Sequence, residues 1–113
     1  MIVKKNDVEG FSFEKCHDGN GALICYDMLR GCKSEDFPFF HYDIIPPKVS
    51  IGDHTHESTE EIYYLIEGDC ILIYDGKETE MKSGDFSLVT KGHSHGIINV
   101  GKEDAKLIVV ASK

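Results

Sequence analysis

The sequence predicts an all-β domain built as a sandwich or barrel, and three observations carry that reading. Short apolar runs recur along the whole chain, as they do in strand-rich folds. Turn signals separate them at Gly19-Asn20-Gly21, Pro46-Pro47, Glu67-Gly68, Asp75-Gly76, Ser83-Gly84 and Val100-Gly101. No window sustains a helical period, and Gly31–Asp36 is expected to form at most a short turn.

In chain order, the clearest strands are expected at Ala22–Met28, Phe39–Ile45, Ile62–Glu67, Cys70–Tyr74, Phe86–Val89, Gly96–Val100 and Leu107–Ala111. Weaker signals mark Phe11–Phe13, Val49–Gly52 and Glu78–Met81. Asp75-Gly76 is the sharpest turn, because a two-residue type I′ loop needs positive φ at both positions and Asp-Gly adopts it readily. Cys70-Ile71-Leu72-Ile73-Tyr74 and Ile62-Tyr63-Tyr64-Leu65-Ile66 are apolar at odd and even positions alike. A strand with one wet face alternates. One face of these strands is therefore expected to line the interior, and the other to be covered by a second sheet or a second subunit. A homodimer is the expected state for so short a chain.

The 113 residues suffice for one domain, 1–113, and leave no room for a second core. Residues 1–21 read as an N-terminal arm with the first strand, set at the dimer interface, and 49–100 as the segment that carries the chemistry. A chain of this length buries enough surface to fold without a disulfide. Its 20 acidic against 12 basic residues give a formal net charge of −8. That balance, with Arg30 the lone arginine, argues against nucleic acid and against an anionic membrane surface. It leaves room for an anionic small ligand, because a bound divalent cation supplies local positive charge that the sum hides. The first residues, MIVKKNDVEGF, lack the apolar centre of a signal peptide, and no segment is long enough to span a bilayer, so a cytoplasmic location is expected. Cys16, Cys25, Cys32 and Cys70 show no CxxC spacing and are expected as free thiols.

Four of the six histidines fall in two close pairs, His54/His56 and His93/His95. Residues i and i+2 of a strand share a face, so His54 and His56 can aim two imidazoles at one point. After the polar stretch Glu57-Ser58-Thr59-Glu60, Glu61 opens an apolar strand, where a carboxylate is costly unless paired or bound to a cation. Glu60 is the rival carboxylate, and opposite strand parity sends it outward. Beyond the Thr90-Lys91-Gly92 turn, His95, Ile97 and Asn99 share one face by the same two-residue period.

These residues resemble the two motifs of the cupins. The first motif, His-x-His, three or four residues, Glu, six residues, Gly, is matched by His54, His56, Glu61 and Gly68. The second, Gly, five residues, Pro-x-Gly, two residues, His, three residues, Asn, is matched by Gly84, Gly92, His95 and Asn99. Two departures concern turns: Thr90 stands where proline is usual, and Lys48 where the first motif opens with glycine. The resemblance implies a jelly-roll barrel, a double-stranded β-helix of two antiparallel sheets. It also implies one divalent metal ion per chain on His54, His56, Glu61 and His95. Mixed nitrogen and oxygen donors without thiolate suit Mn, Fe, Ni, Co or Zn.

Of the remaining candidates, Tyr63 shares parity with Glu61 and can line the pocket with Ile97 and Asn99. His93 and Glu60 are candidate proton relays. His41 on its strand reads as a packed residue and Arg30 as a surface group. His17 in Cys16-His17-Asp18-Gly19-Asn20-Gly21 has no assigned role. The implied function is a metalloenzyme acting on a small carboxylate, keto acid or sugar derivative, with oxalate-decarboxylase-like or dioxygenase-like chemistry. The alternatives are a non-catalytic module that binds or senses a small anionic or oxygen-rich ligand, and an isomerase of phosphosugars.

Overall fold

The computed structural model describes residues 1–113. Ten strands form: β1 (Phe11–Glu14), β2 (Ala22–Asp27), β3 (Phe39–Ile45), β4 (Ser50–Thr55), β5 (Glu60–Glu67), β6 (Asp69–Tyr74), β7 (Lys77–Lys82), β8 (Phe86–Val89), β9 (Ser94–Asn99) and β10 (Ala105–Ser112). Each expected strand is among them, including the three weaker ones. Two boundaries matter for the chemistry. β5 starts at Glu60 and β9 at Ser94, so Glu61 and His95 both sit within ladders rather than ahead of them. Two single-turn 3₁₀ helices, Lys5–Asp7 and Cys16–Asp18, were not foreseen. Gly31–Asp36 holds no helix; the chain turns just before it, where the Arg30 N–H donates to the Asp27 carbonyl at 3.2 Å.

The strands pair antiparallel throughout, in a six-stranded sheet ordered β1-β2-β3-β10-β5-β8 and a four-stranded sheet ordered β4-β9-β6-β7. Asp75 and Gly76 take φ of 48° and 80°, the doubly positive turn their identities call for, and the β6–β7 hairpin closes on them. Between the sheets lies one core: Leu23, Ile45, Leu65, Leu107 and Val109 from the larger sheet meet Ile51, Cys70, Leu72, Met81 and Ile97 from the smaller. Asn99 ties the lower end together. Its side-chain amide donates to the carbonyls of Ile45 and Glu103, both at 2.8 Å, and its oxygen accepts the Gly101 N–H at 2.8 Å.

The outward faces of the two sheets differ. On the six-stranded sheet, Leu88, Ile62, Val110 and Phe40 stand opposite one another across four strands, and Phe86, Tyr64, Ile108 and Tyr42 form the adjoining row. Several are exposed, Phe86 most of all at 66 %. On the four-stranded sheet, Ile71 and Ile73 are instead flanked by Glu80 and Glu78 of β7. The N-terminal arm meets the edge of the apolar face, where the Lys5 ammonium lies 4.1 Å over the Tyr26 ring.

Candidate metal centre

The site is assembled across the gap between the sheets. β4 and β9 pair so that His54 stands directly opposite His95. The register shifts between Ile51 and His54, and this irregularity re-aims the strand so that Ile51 and His54 both face inward despite opposite parity. His56 follows two residues on, and Glu61 reaches over from β5 of the other sheet. Glu61 is 4 % exposed and His95 fully buried.

Four atoms converge. His95 Nε2 lies 2.9 Å from Glu61 Oε1 and 3.1 Å from His56 Nε2. The same carboxylate oxygen is 3.5 Å from His56 Nε2 and 3.9 Å from His54 Nε2. Ligands about 2.1 Å from a common ion and at right angles are about 3 Å apart, so this spacing fits one cation. Hydrogen bonds fix how two of the rings are turned. The His54 Nδ1–H donates to the Gly52 carbonyl at 2.8 Å, which leaves Nε2 as a bare lone pair, buried and without a partner. His56 Nδ1 is 3.1 Å from Thr59 Oγ1. An orphaned acceptor facing two more nitrogens and a carboxylate is an arrangement that a cation satisfies and another hydrogen bond cannot.

Burial sets the protonation. It pushes the His95 imidazole down to about 3, with neighbouring His54 adding to the effect, and lowers His56 as well. Burial raises Glu61, against the opposing pull of His56, His54 and His41. Neutral imidazoles are the form that ligates metal.

The sequence comparisons agree with this geometry. A family model described as a cupin domain matches residues 41–111. An oxalate-binding protein of Thermotoga maritima is 38 % identical over 111 residues, covering 97 % of this chain and 92 % of that protein. The chain belongs to the cupin family. Among solved structures, a protein described as a predicted oxalate decarboxylase from Thermotoga maritima superposes with a TM-score of 0.93 at 27 % identity, over 99 % of this chain and 98 % of that one. KdgF from Halomonas sp. superposes at 0.82 over 99 % of this chain and 92 % of its own, and at 14 % identity it supports the fold alone.

Around this cupin centre two aromatic rings lie flat on the histidines. Tyr63 stacks on His95 at 4.0 Å between ring centroids and 10° between planes. His17 stacks on His54 at 3.6 Å and 11°. His17 reaches that place because Lys15, His17 and Asp18 all take left-handed backbone, with φ of 48°, 51° and 60°. The arm then presses backbone to backbone on β4, where a Cβ on Gly52 would overlap the His17 carbonyl oxygen. The only hint in the sequence was a histidine two residues ahead of a Gly-Asn-Gly turn.

Beside Glu61 a cavity of about 110 Å³ opens among Phe13, His17, His41, Asp43, Glu61 and Tyr63. Ile97 packs in the core, and Asn99 is committed to the three backbone partners described above. Glu60 pairs across from Ser112 on the face opposite to that of Glu61. His93 stands on the turn before β9, half-exposed, with its Nδ1 2.6 Å from the Asp75 carboxylate. All four cysteines are free thiols.

Proposed function

We propose that this cupin holds one divalent metal ion on His54, His56, Glu61 and His95 and acts on a small carboxylate or keto acid, with oxalate the first candidate. The observation that carries the reading is the convergence of four donor atoms, including the unpartnered Nε2 of His54, beside a cavity bordered by Glu61. When bound, the ion supplies a Lewis acid with open positions for a chelating oxygen ligand. The chain's own part is to fix the rings: Tyr63 lies face-on to His95 and His17 to His54, and the Gly52 carbonyl sets the tautomer of His54.

The cavity limits the ligand. At about 110 Å³ it is well below the ~300–1,000 Å³ of drug-sized pockets, so a few heavy atoms fill it. Its lining has no lysine or arginine. A phosphorylated sugar would therefore find no cationic partner besides the metal, which argues against the isomerase alternative. The oxalate-binding name of the Thermotoga relative agrees with a small dianion as ligand. A binder without turnover is the second reading, favoured by the pairing of His93 with Asp75 and by the outward face of Glu60. We also read the protein as a cytoplasmic homodimer joined through the apolar face of the six-stranded sheet.

The test is metal content, then oxalate binding, in wild type and His95→Ala purified without chelator. We expect close to one equivalent of metal in wild type and a loss of at least about a hundredfold in affinity in the variant. Calorimetry should then detect oxalate only in the loaded wild type. Absence of metal after reconstitution with each candidate ion would refute the four-donor site. Oxalate consumption would decide for the enzyme over the binder.

A further inference from the structure

The inner face of the larger sheet carries a second group of metal-type donors that the site above does not use. Cys25 of β2 stands opposite Asp43 of β3, and the neighbouring cross-strand pair is Asp27 with His41. One ligand atom from each of Cys25, His41 and Asp43 lies within 4.8 Å of the others. Cys25 is 1 % and Asp43 4 % exposed, among Leu23, Ile45, Leu107 and Val109.

Asp43 is the anomaly in that setting. A carboxylate at this depth is expected to meet a cation or a full set of donors. The Cys25 thiol stands across the ladder from it, but the Asp43 Oδ1 is buried and has no hydrogen-bond partner. No lysine or arginine borders the cavity into which it faces. A plain buried pair would leave that oxygen unsatisfied, with nothing in the core to offset the loss of its hydration.

We propose that Cys25, His41 and Asp43 form a second cation site, for a borderline divalent transition metal of the zinc class, opening into the same cavity as Glu61. Thiolate, imidazole and carboxylate are the zinc donor set, and three protein ligands leave a tetrahedral position open to the cavity. The Asp27 carboxylate lies 4.0 Å from His41 Nε2, near enough to favour positive charge there but not to hydrogen-bond, and Nδ1 is left to face Asp43 and Cys25. Burial and the mutual repulsion of acids raise Asp43 to about 6 and hold the Cys25 thiol far above its ordinary value. A bound dication reverses that preference: at neutral pH it pairs with the Asp43 carboxylate, and the Cys25 thiol releases its proton to solvent as the metal enters.

Cobalt(II) titration of the full-length protein under reducing conditions tests this, because only the second site contains sulfur. Wild type should bind two equivalents, and the near-ultraviolet thiolate-to-cobalt band should accompany one of them. Cys25→Ser should lose that band and one equivalent while keeping the visible bands of the histidine site. Cys16→Ser, altering the other thiol near the cavity, should keep the band, and Asp43→Asn should weaken the sulfur-containing site at least tenfold. His95→Ala should lose the histidine site and retain the band, so failure of the first reading and of this one are separable. No thiolate band in wild type at saturating cobalt would overturn the proposal, as would a band that survives Cys25→Ser. Should Cys25→Ser fail to fold, the wild-type band and its response to Asp43→Asn and Cys16→Ser decide the matter.

Discussion

The two sheets divide the work of this molecule differently. The four-stranded sheet supplies the histidines of the candidate metal centre, His54 from β4, His56 just past its end and His95 from β9, and turns glutamates outward beside its isoleucines. The six-stranded sheet gives that centre only Glu61, holds the Cys25–His41–Asp43 group on its inner face, and turns rows of isoleucine, leucine and aromatic residues outward. A smaller sheet open to water on one side needs carboxylates there to stay soluble. A sheet with exposed Phe86, Tyr64, Ile62 and Leu88 in contiguous rows has the surface of an interface. One sheet carries the histidine cluster and a charged outer face; the other carries a carboxylate inward and leaves contiguous apolar rows exposed outward.

The largest effect that could break this contrast is at the outer rows. Ile62→Lys combined with Phe86→Lys places two charges in adjoining rows of the apolar face. If that face joins two copies, the dimer dissociation constant should rise on the order of a thousandfold, at about 1 kcal/mol for each of the four substituted side chains in the dimer. Sedimentation velocity at micromolar protein should find wild type as a dimer and the double variant as a monomer. A wild-type monomer would remove the functional distinction between the two outer faces.

A smaller effect sharpens the contrast on the inner side. In the metal-free folded protein Asp43 keeps its proton up to about pH 6, whereas the unfolded chain releases it near the ordinary 3.8. Between those values the folded state binds more protons, so stability falls as pH rises through the window and is level above it. Asp43→Asn lacks that titration. With chelator present, the variant should gain on wild type between pH 4 and 7 by on the order of 2–3 kcal/mol, read from urea unfolding at each pH. A difference independent of pH would show that Asp43 does not carry a buried charge at neutral pH. Saturating zinc should reverse the order, because the cation favours the wild-type carboxylate.

What the sequence could reveal followed the range of the interactions. The ligands of the metal centre were legible because His54 and His56 are two residues apart and Glu61 and His95 sit at fixed offsets from local turns. The two-sided apolar character of β5 also appeared directly in Ile62–Ile66. His17 was not legible, since its place depends on left-handed backbone at three residues and on contact between the arm and Gly52, 35 positions away. Nor was the second cluster, because the register of Cys25 against Asp43 is set only after an irregular segment brings β2 and β3 together. His93, two residues before His95, reads from the sequence as a candidate proton relay. β9 begins only at Ser94, however, so His93 remains on the turn, where the Asp75 carboxylate binds it.

The connection between the sheets offers the smallest test, at the residue where the chain departs from the family motif. Lys48 lies in the short crossing from β3 to β4 and takes φ of 70°, the left-handed conformation that glycine would adopt freely. Its backbone is fully engaged there: the Lys48 N–H donates to the Asn99 carbonyl at 2.9 Å, and its own carbonyl accepts from the Asn20 amide at 3.0 Å. Those bonds hold the strained residue in place, and none uses the lysine side chain. Lys48→Gly therefore keeps them and removes a left-handed penalty of about 1–2 kcal/mol, against a greater loss of chain entropy on folding of about 0.5–1 kcal/mol. The variant should be more stable by roughly 0.5–1 kcal/mol in urea unfolding, with metal content unchanged. A variant less stable than wild type would mean that the lysine side chain itself holds the crossing, and that the departure from glycine strengthens the junction of the two sheets.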